Sequence, residues 1–287
     1  MPATTDMPTP SLEKLYRAVT NPMRLMPDFI IIGTQRGGTT SLYNYLAEHP
    51  GIGAASIKEV HFFDSPHFTQ GRTWYRAHFP SALRKYMVER VHKFDFLTGE
   101  ASPYYLFHPH APARVAAMLP DVKLIVMLRN PVDRAYSHYY HEVEGKHERL
   151  TTFEEAIDCE EQRLADEQEK MQANELYQSY NHRHFSYLAR GIYVDQLQNW
   201  LNYLPREQLL LLKSEDFYAN AQEVFNRTLA FLGLPAIVPQ ATQEFKQYNT
   251  TRAPSMLAAT RRRLVEHFKP HNARLYDFTG INFGWDT

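Results

Sequence analysis

The string FIIIGTQRGGTTSL, Phe29 to Leu42, gathers glycines and hydroxyls where an apolar run gives way to a helical pattern. A strand feeding glycines into a helix N-terminus aims backbone N–H groups and the positive end of the helix dipole at one spot. Such a spot holds the oxygens of a phosphate or sulfate. The contacts on offer are Thr34, Gln35, Arg36, Gly37, Gly38, Thr39, Thr40 and Ser41, the last three adding hydroxyl donors in the first turn. The plainer reading is a glycine turn that only packs a helix onto a sheet. Three hydroxyls and Arg36 in one turn argue against it.

The Walker pattern G-x-x-x-x-G-K-[ST] shares the glycine separation of Gly33 and Gly38, but Thr39 stands where its lysine must be. The nearest cation, Arg36, lies inside the loop. A triphosphate enzyme needs that lysine on the β/γ-phosphates and a carboxylate-held magnesium. A phosphosulfate has one fewer negative oxygen at its reacting end and needs neither. The departure therefore favours phosphosulfate over triphosphate, with no metal expected.

A second anion site is written into LIVMLRNPVDRAYSHYYHE, Leu124 to Glu142. An arginine leaving the C-terminal end of a parallel strand sits where α/β sheets place ligands. Ser137 lies eight residues beyond Arg129, two turns along the next helix, close enough to share an anion with it. A surface ion pair is the alternative for Arg129 taken alone.

These motifs resemble those of the sulfotransferases that use 3′-phosphoadenosine 5′-phosphosulfate (PAPS) and release PAP. The nearest branch holds the heparan sulfate sulfotransferase domains. FIIIGTQRGGTTSLYNYLAEHP is similar to their 5′-phosphosulfate loop, with Arg36 where that branch usually has lysine. The resemblance implies that Arg36 touches the sulfuryl or bridging oxygen, and that Arg129 and Ser137 hold the 3′-phosphate. Ala189–Leu201 resembles an Arg-Gly-(aromatic) turn before a helix with a tryptophan, which adds Tyr193 to the cofactor contacts. Tyr248–Met256 resembles a basic loop over the nucleotide, bringing Thr250 and Arg252 to the 3′-phosphate; the family's glycine and lysine are missing there. Asn282–Trp285 (NFGW) fits the same branch.

Sulfuryl transfer needs an in-line acceptor oxygen, a base for its proton and donors for the leaving phosphate. Lys58–Asp64 (KEVHFFD) looks like the family's K-E-x-x-F-F segment, which implies Glu59 as general base and Lys58 beside the acceptor. His61 is the rival, its ordinary pKa being better placed. If 58–63 is extended, Glu59, His61 and Phe63 share one side and Val60 and Phe62 the other. An ion pair with Lys58 or Arg36 is the structural alternative for Glu59, and a hydrogen-bonded supporting role the one for His61. Gly99–Phe107 (GEASPYYLF) lies where the branch has a Glu-Lys-(Ser/Thr)-x-x-Tyr run, implying acceptor contacts from Ser102, Tyr104 and Tyr105. The lysine position is Ala101, which removes a cation from the acceptor cleft. His138 and His141 lack a carboxylate at metal-binding spacing and read as cleft or core residues.

The elements that must position these groups follow from hydrophobic pattern. Asp28–Ile32 and Lys123–Leu128 are apolar throughout, as buried parallel strands are. Phe96–Glu100 and Gln208–Lys213 are further strands. Helices are expected over Thr39–Glu48, Val132–Glu144, Ile192–Leu201 and Val224–Leu232, with a charged helical stretch across Thr151–Gln178. Beyond Gln240 only a basic helix around Ser255–Phe268 stands out. Strands alternating with helices argue for an α/β fold: a P-loop-containing domain over 27–287, its mostly parallel sheet flanked by helices. Residues 1–26 read as a leader with a short helix, Ser11–Val19.

The 287 residues carry a net charge of −1, so nothing draws the chain as a whole to nucleic acid or an anionic membrane. Cys159 is the one cysteine, which excludes an intrachain disulfide. No segment has the apolar core of a signal peptide or the length of a membrane span, so the expected compartment is the cytoplasm. With 13% aromatic residues, the acceptor expected is a small or carrier-tethered hydroxylated metabolite, with a glycan as alternative. A P-loop nucleotide kinase, opposed by Thr39, and a non-catalytic adenine-nucleotide binder, opposed by the polar Lys58–Asp64, are the rival functions.

Overall fold

The computed structural model describes residues 19–237 and 253–286. The described chain begins β1 (Phe29–Gly33), α1 (Thr39–Glu48), β2 (Ile52–Ala54), α2 (Gly71–Arg76), α3 (Ala82–His92), β3 (Leu97–Ala101), α4 (Ala111–Met118), β4 (Lys123–Leu128) and α5 (Pro131–Glu144). Short helices α6 (Phe153–Asp158), α7 (Glu160–Leu164), α8 (Glu167–Ala173) and α9 (Tyr180–His184) follow. Then come α10 (Tyr193–Leu201), β5 (Leu209–Lys213), α11 (Ser214–Ala219), α12 (Ala221–Leu232) and α13 (Ala258–Thr279).

The strands form one parallel sheet in the order β2-β3-β1-β4-β5. Parallel strands are buried on both faces, and β1 and β4 supply apolar side chains to both. Ile30, Ile32, Leu124 and Val126 enter one core with Leu197 and Trp200 of α10. Phe29, Ile31, Ile125 and Met127 enter the other with Leu42 and Leu46 of α1 and Phe225 of α12. Each such side chain, fully buried, contributes ~1.5–3 kcal/mol. Because β1 is central, the chain runs to one side of it through β2 and β3, and to the other through β4 and β5. The strand order thus reverses at β1 and β4, and ligands of open α/β sheets lie at the carboxyl ends of such strands.

The pattern misplaced other elements. Thr151–Gln178 is broken at Cys159 and at Asp166, whose φ is 61°. The basic helix runs on to Thr279 through Pro270, since Asn272 and Leu275 beyond it are buried. Phe283 and Trp285 pack in the same core as Tyr193. The expected helix Ser11–Val19 falls outside the described residues except for Val19. Among the described residues no helix is long and apolar enough to cross a membrane.

Candidate functional site

The Thr34 N–H donates to the Met127 carbonyl at 2.8 Å, pinning the loop after β1 to β4. Gly37 N–H closes the turn onto Thr34 O at 3.0 Å, and the Ser214 hydroxyl donates to the Gly37 carbonyl. Gly38 sits at φ 94°, a region costly for any residue with a Cβ. It starts α1 without a side-chain cap, as an anion-binding helix end requires. The cleft here is lined by Gln35, Arg36, Gly38, Thr39, Thr40, Glu59, Pro103, Arg129, His141 and Tyr218. Thr34 and Ser41 are buried at 1% and 0% exposure and do not line it, and Gly37 stands behind the loop.

Arg129 leaves the end of β4, where Asn130 caps α5 through Val132 N–H at 3.0 Å. Arg129 donates to the Arg36 carbonyl at 3.0 Å, and Arg36 Nε donates to Ser137 Oγ at 2.9 Å. Ser137 therefore meets the cleft through Arg36, where the sequence suggested direct sharing with Arg129. Burial and the neighbouring Arg129 charge pull the Arg36 pKa below its ordinary value, against the glutamates Glu144 and Glu142. A bound anion would relieve that repulsion. Tyr193 is 1% exposed, its hydroxyl donating to the Arg129 carbonyl at 2.8 Å and its ring meeting Trp285. Tyr193, expected among the cofactor contacts, here holds Arg129 from behind, with Trp285 of the Asn282–Trp285 motif packed on its ring. Thr250 and Arg252 lie outside the described residues.

The Lys58–Asp64 segment is not extended, because Glu59 and His61 have φ of 60° and 51°. Val60, Phe62 and Phe63 all turn into the core, so Phe63 does not share a side with the two polar residues. The end of β3 holds the segment. Glu59 N–H donates to Ala101 O at 3.1 Å, His61 N–H to Ser102 Oγ at 3.3 Å, and Phe62 N–H to Tyr105 Oη at 2.8 Å. His61 Nδ1 lies 2.7 Å from Asp64 Oδ2, and Nε2 lies 3.3 Å from Glu59 Oε2. Lys58 pairs with the other Glu59 oxygen.

Burial raises the Glu59 pKa, but the His61 hydrogen bond and the Lys58 charge outweigh it and hold the carboxyl at about 2. Burial lowers the His61 pKa, but hydrogen bonds to Asp64 and Glu59 outweigh it and raise the imidazole to about 9. Arg183 Nη2, 3.2 Å from His61 Nε2, opposes that rise. Nε2 cannot both accept from Arg183 and donate to Glu59. With two carboxylates facing the ring, the protonated form donating to Glu59 is favoured.

Ser102 and Tyr105, expected to touch the acceptor, are fully buried behind the cleft. Both donate to Glu100, as does Tyr75, which places a carboxylate at the centre of the network holding the Glu59 segment. Burial raises the pKa of Glu100 against those three hydrogen bonds. Tyr104 is 6% exposed, its hydroxyl 2.7 Å from His182 Nδ1. It lines a side pocket with Asp64, His108, Arg183 and His184, so one edge of its ring remains within reach of a ligand there.

A family model for the sulfotransferase domain matches residues 26–272. The chain belongs to that family. Human heparan sulfate glucosamine 3-O-sulfotransferase 3B1 is 31% identical over 91% of this chain and 65% of its own length. The Dictyostelium discoideum membrane-associated sulfotransferase kil1 is 28% identical, over 91% of this chain and 66% of its own. The solved structure of a sulfotransferase from Alicyclobacillus acidocaldarius is 30% identical, with a TM-score of 0.66 over 92% of this chain and 100% of that one.

Several residues of this sulfotransferase domain escaped the sequence reading. Asp64, three residues beyond His61, was legible as part of KEVHFFD but received no role. Arg183 on α9 lines the side pocket with Tyr104 and brings a cation to His61 Nε2 at 3.2 Å. Buried Arg190 donates to Gln35 Oε1 in the loop and to the His182 and Arg183 carbonyls at 2.9 and 2.7 Å. Nothing local marks Arg183 or Arg190, since 155 residues separate Arg190 from Gln35. Glu142 also escaped: it accepts from His138 at 3.1 Å, a carboxylate at the i,i+4 spacing said to be missing.

Proposed function

We propose that this chain transfers a sulfuryl group from PAPS to an acceptor hydroxyl by in-line displacement, releasing PAP. The observation that carries the reading is the convergence of Arg36, Arg129, Thr39, Thr40 and Glu59 on one cleft. The donor set suits a phosphosulfate: two guanidinium groups and an uncapped helix start, with Glu59 as the one carboxylate among the described residues that line the cleft. That composition disfavours a magnesium-dependent kinase.

When bound, PAPS supplies an activated sulfur whose bond to phosphate oxygen can be broken. Glu59, ionised well below neutral pH, takes the acceptor proton as the acceptor oxygen bonds to sulfur. Arg36 and the first N–H groups of α1 neutralise charge left on the departing phosphate oxygen. Arg129, with Ser137 acting through Arg36, anchors the 3′-phosphate. His61, charged through Asp64, cannot accept a proton at neutral pH; it orients Glu59.

The acceptor is a small or carrier-tethered hydroxylated molecule. Lys58 and Arg183 beside Glu59 favour an anionic glycan as the second reading, as does the human relative's name. Transfer of labelled sulfate from PAPS across a panel of both acceptor types tests this. Glu59→Ala should abolish transfer while PAP affinity survives; lost PAP binding would make Glu59 a structural residue.

A further inference from the structure

At the far end of α5 from Arg129, Glu142 is enclosed by imidazoles. His184 Nδ1 on α9 lies 2.7 Å from Glu142 Oε2, and His138 Nε2 lies 3.1 Å from Oε1. His147 completes the cluster: one ligand atom from each of Glu142, His147 and His184 falls within 4.8 Å of the others.

Backbone bonds build this arrangement. His147 N–H donates to the Glu142 carbonyl at 2.9 Å and Lys146 N–H to the Val143 carbonyl at 3.0 Å, with Lys146 at φ 60°. This helix ending folds the chain back, so His147 returns over Glu142. The His147 and His184 rings stack with centroids 4.1 Å apart, so the exposed His147 ring must turn for both in-plane lone pairs to meet one ion. The Tyr180 hydroxyl lies 3.0 Å from His147 Nδ1.

We infer that Glu142, His147 and His184 form a binding site for a divalent transition-metal ion, Zn²⁺ by ligand type. Two imidazoles and one carboxylate with a fourth position open to solvent is a zinc donor set. Outer partners of the usual kind are in place. His138 donates to the carboxylate and Tyr180 orients His147, as second-shell groups do for ligating carboxylates and histidines. Tetrahedral bonds of ~2.0–2.2 Å put neighbouring donor atoms ~3.3–3.5 Å apart. The 2.7 Å contact between Glu142 and His184 must therefore open slightly, with His184 ligating as the neutral imidazole through Nδ1 and carrying its proton on Nε2.

The site goes beyond the sulfuryl-transfer reading and does not depend on it. It would clamp α5, which carries Ser137, to α9, which carries Arg183, and so stiffen the acceptor side of the cleft. Glu142 is 3% exposed and unsafe to replace, whereas His147 is exposed and His184 only half-buried.

Chelator-treated full-length protein should take up one equivalent of ZnCl₂ in competition with a chromogenic chelator. CoCl₂ should give the intense visible bands of a tetrahedral site. His147→Ala and His184→Ala should each weaken Zn²⁺ at least ~10-fold, the smaller loss typical of second-shell changes alone. The zinc-induced rise in Tm should vanish with His147→Ala while PAP binding persists. No zinc uptake, or unchanged uptake by His147→Ala, would overturn the proposal, leaving a metal-free Glu142 ion-pair cluster. If His184→Ala does not fold, His147→Ala decides.

Discussion

Arg36 Nε donates to Ser137 Oγ at 2.9 Å across 101 residues of sequence. That bond joins the loop after β1 to the helix after β4, making the two proposed anion sites one unit. Removing Ser137 takes away one of the bonds that hold the Arg36 side chain at the helix start. Ser137→Ala should raise the donor KM ~10-fold, as loss of a hydrogen bond to a charged group worth ~1.5–3 kcal/mol implies. Steady-state kinetics of Arg36→Ala, Ser137→Ala and the double variant should show losses that do not add. Additive losses would show that the two act separately.

Arg129 is held by Tyr193 at its carbonyl and itself holds the Arg36 carbonyl. Arg129→Ala should raise the PAPS KM by ~10–100-fold through the loss of charge-assisted bonds. An unchanged KM in initial-rate assays would sink the 3′-phosphate role.

The Glu59–His61–Asp64 arrangement sets a pH window. The raised His61 pKa adds stability that is whole below its ordinary 6.5 and lost as pH climbs through about 9. The lowered Glu59 pKa adds stability present above its ordinary 4.5 and lost as pH falls through about 2. Between these limits Glu59 is ionised and oriented by charged His61, so kcat/KM should be flat near neutrality and fall toward pH 9. His61→Asn should lower the plateau and abolish that upper limb. If the limb stays in the variant's pH profile, another group produces it.

Tyr105 touches Glu100 and the backbone of the Glu59 segment but no solvent. Tyr105→Phe leaves the Phe62 N–H without its acceptor, which should cost ~1–3 kcal/mol in denaturant unfolding. The acceptor KM should stay within about twofold, since an order of magnitude requires ~1.4 kcal/mol of lost binding. A large rise in that KM, with stability unchanged, would restore Tyr105 to the acceptor.

The parts of the site legible in sequence obey short-range rules. The apolar runs of β1 and β4 and the glycines before Thr39 were enough to place the strands and the turn, and α1 and β4 have the expected bounds. Lys58–Asp64 was legible as chemistry but not as shape. Period-two reasoning assumes extended backbone, and φ values of 60° at Glu59 and 51° at His61 break it. Ser102 and Tyr105 were placed in the cleft because burial cannot be read from a polar residue's type. Arg183 and Arg190 act on residues more than 100 positions away, a relation only the folded sheet creates.

We propose that the cleft between Arg36, Arg129 and Thr39 fits PAP rather than a metal-bound triphosphate. Thermal denaturation with each ligand at equal concentration tests it, because a ligand of the native state raises Tm in proportion to its affinity. PAP should raise Tm clearly, ATP with magnesium much less, and the PAP effect should be lost in Arg129→Ala. A larger rise with ATP and magnesium would contradict it.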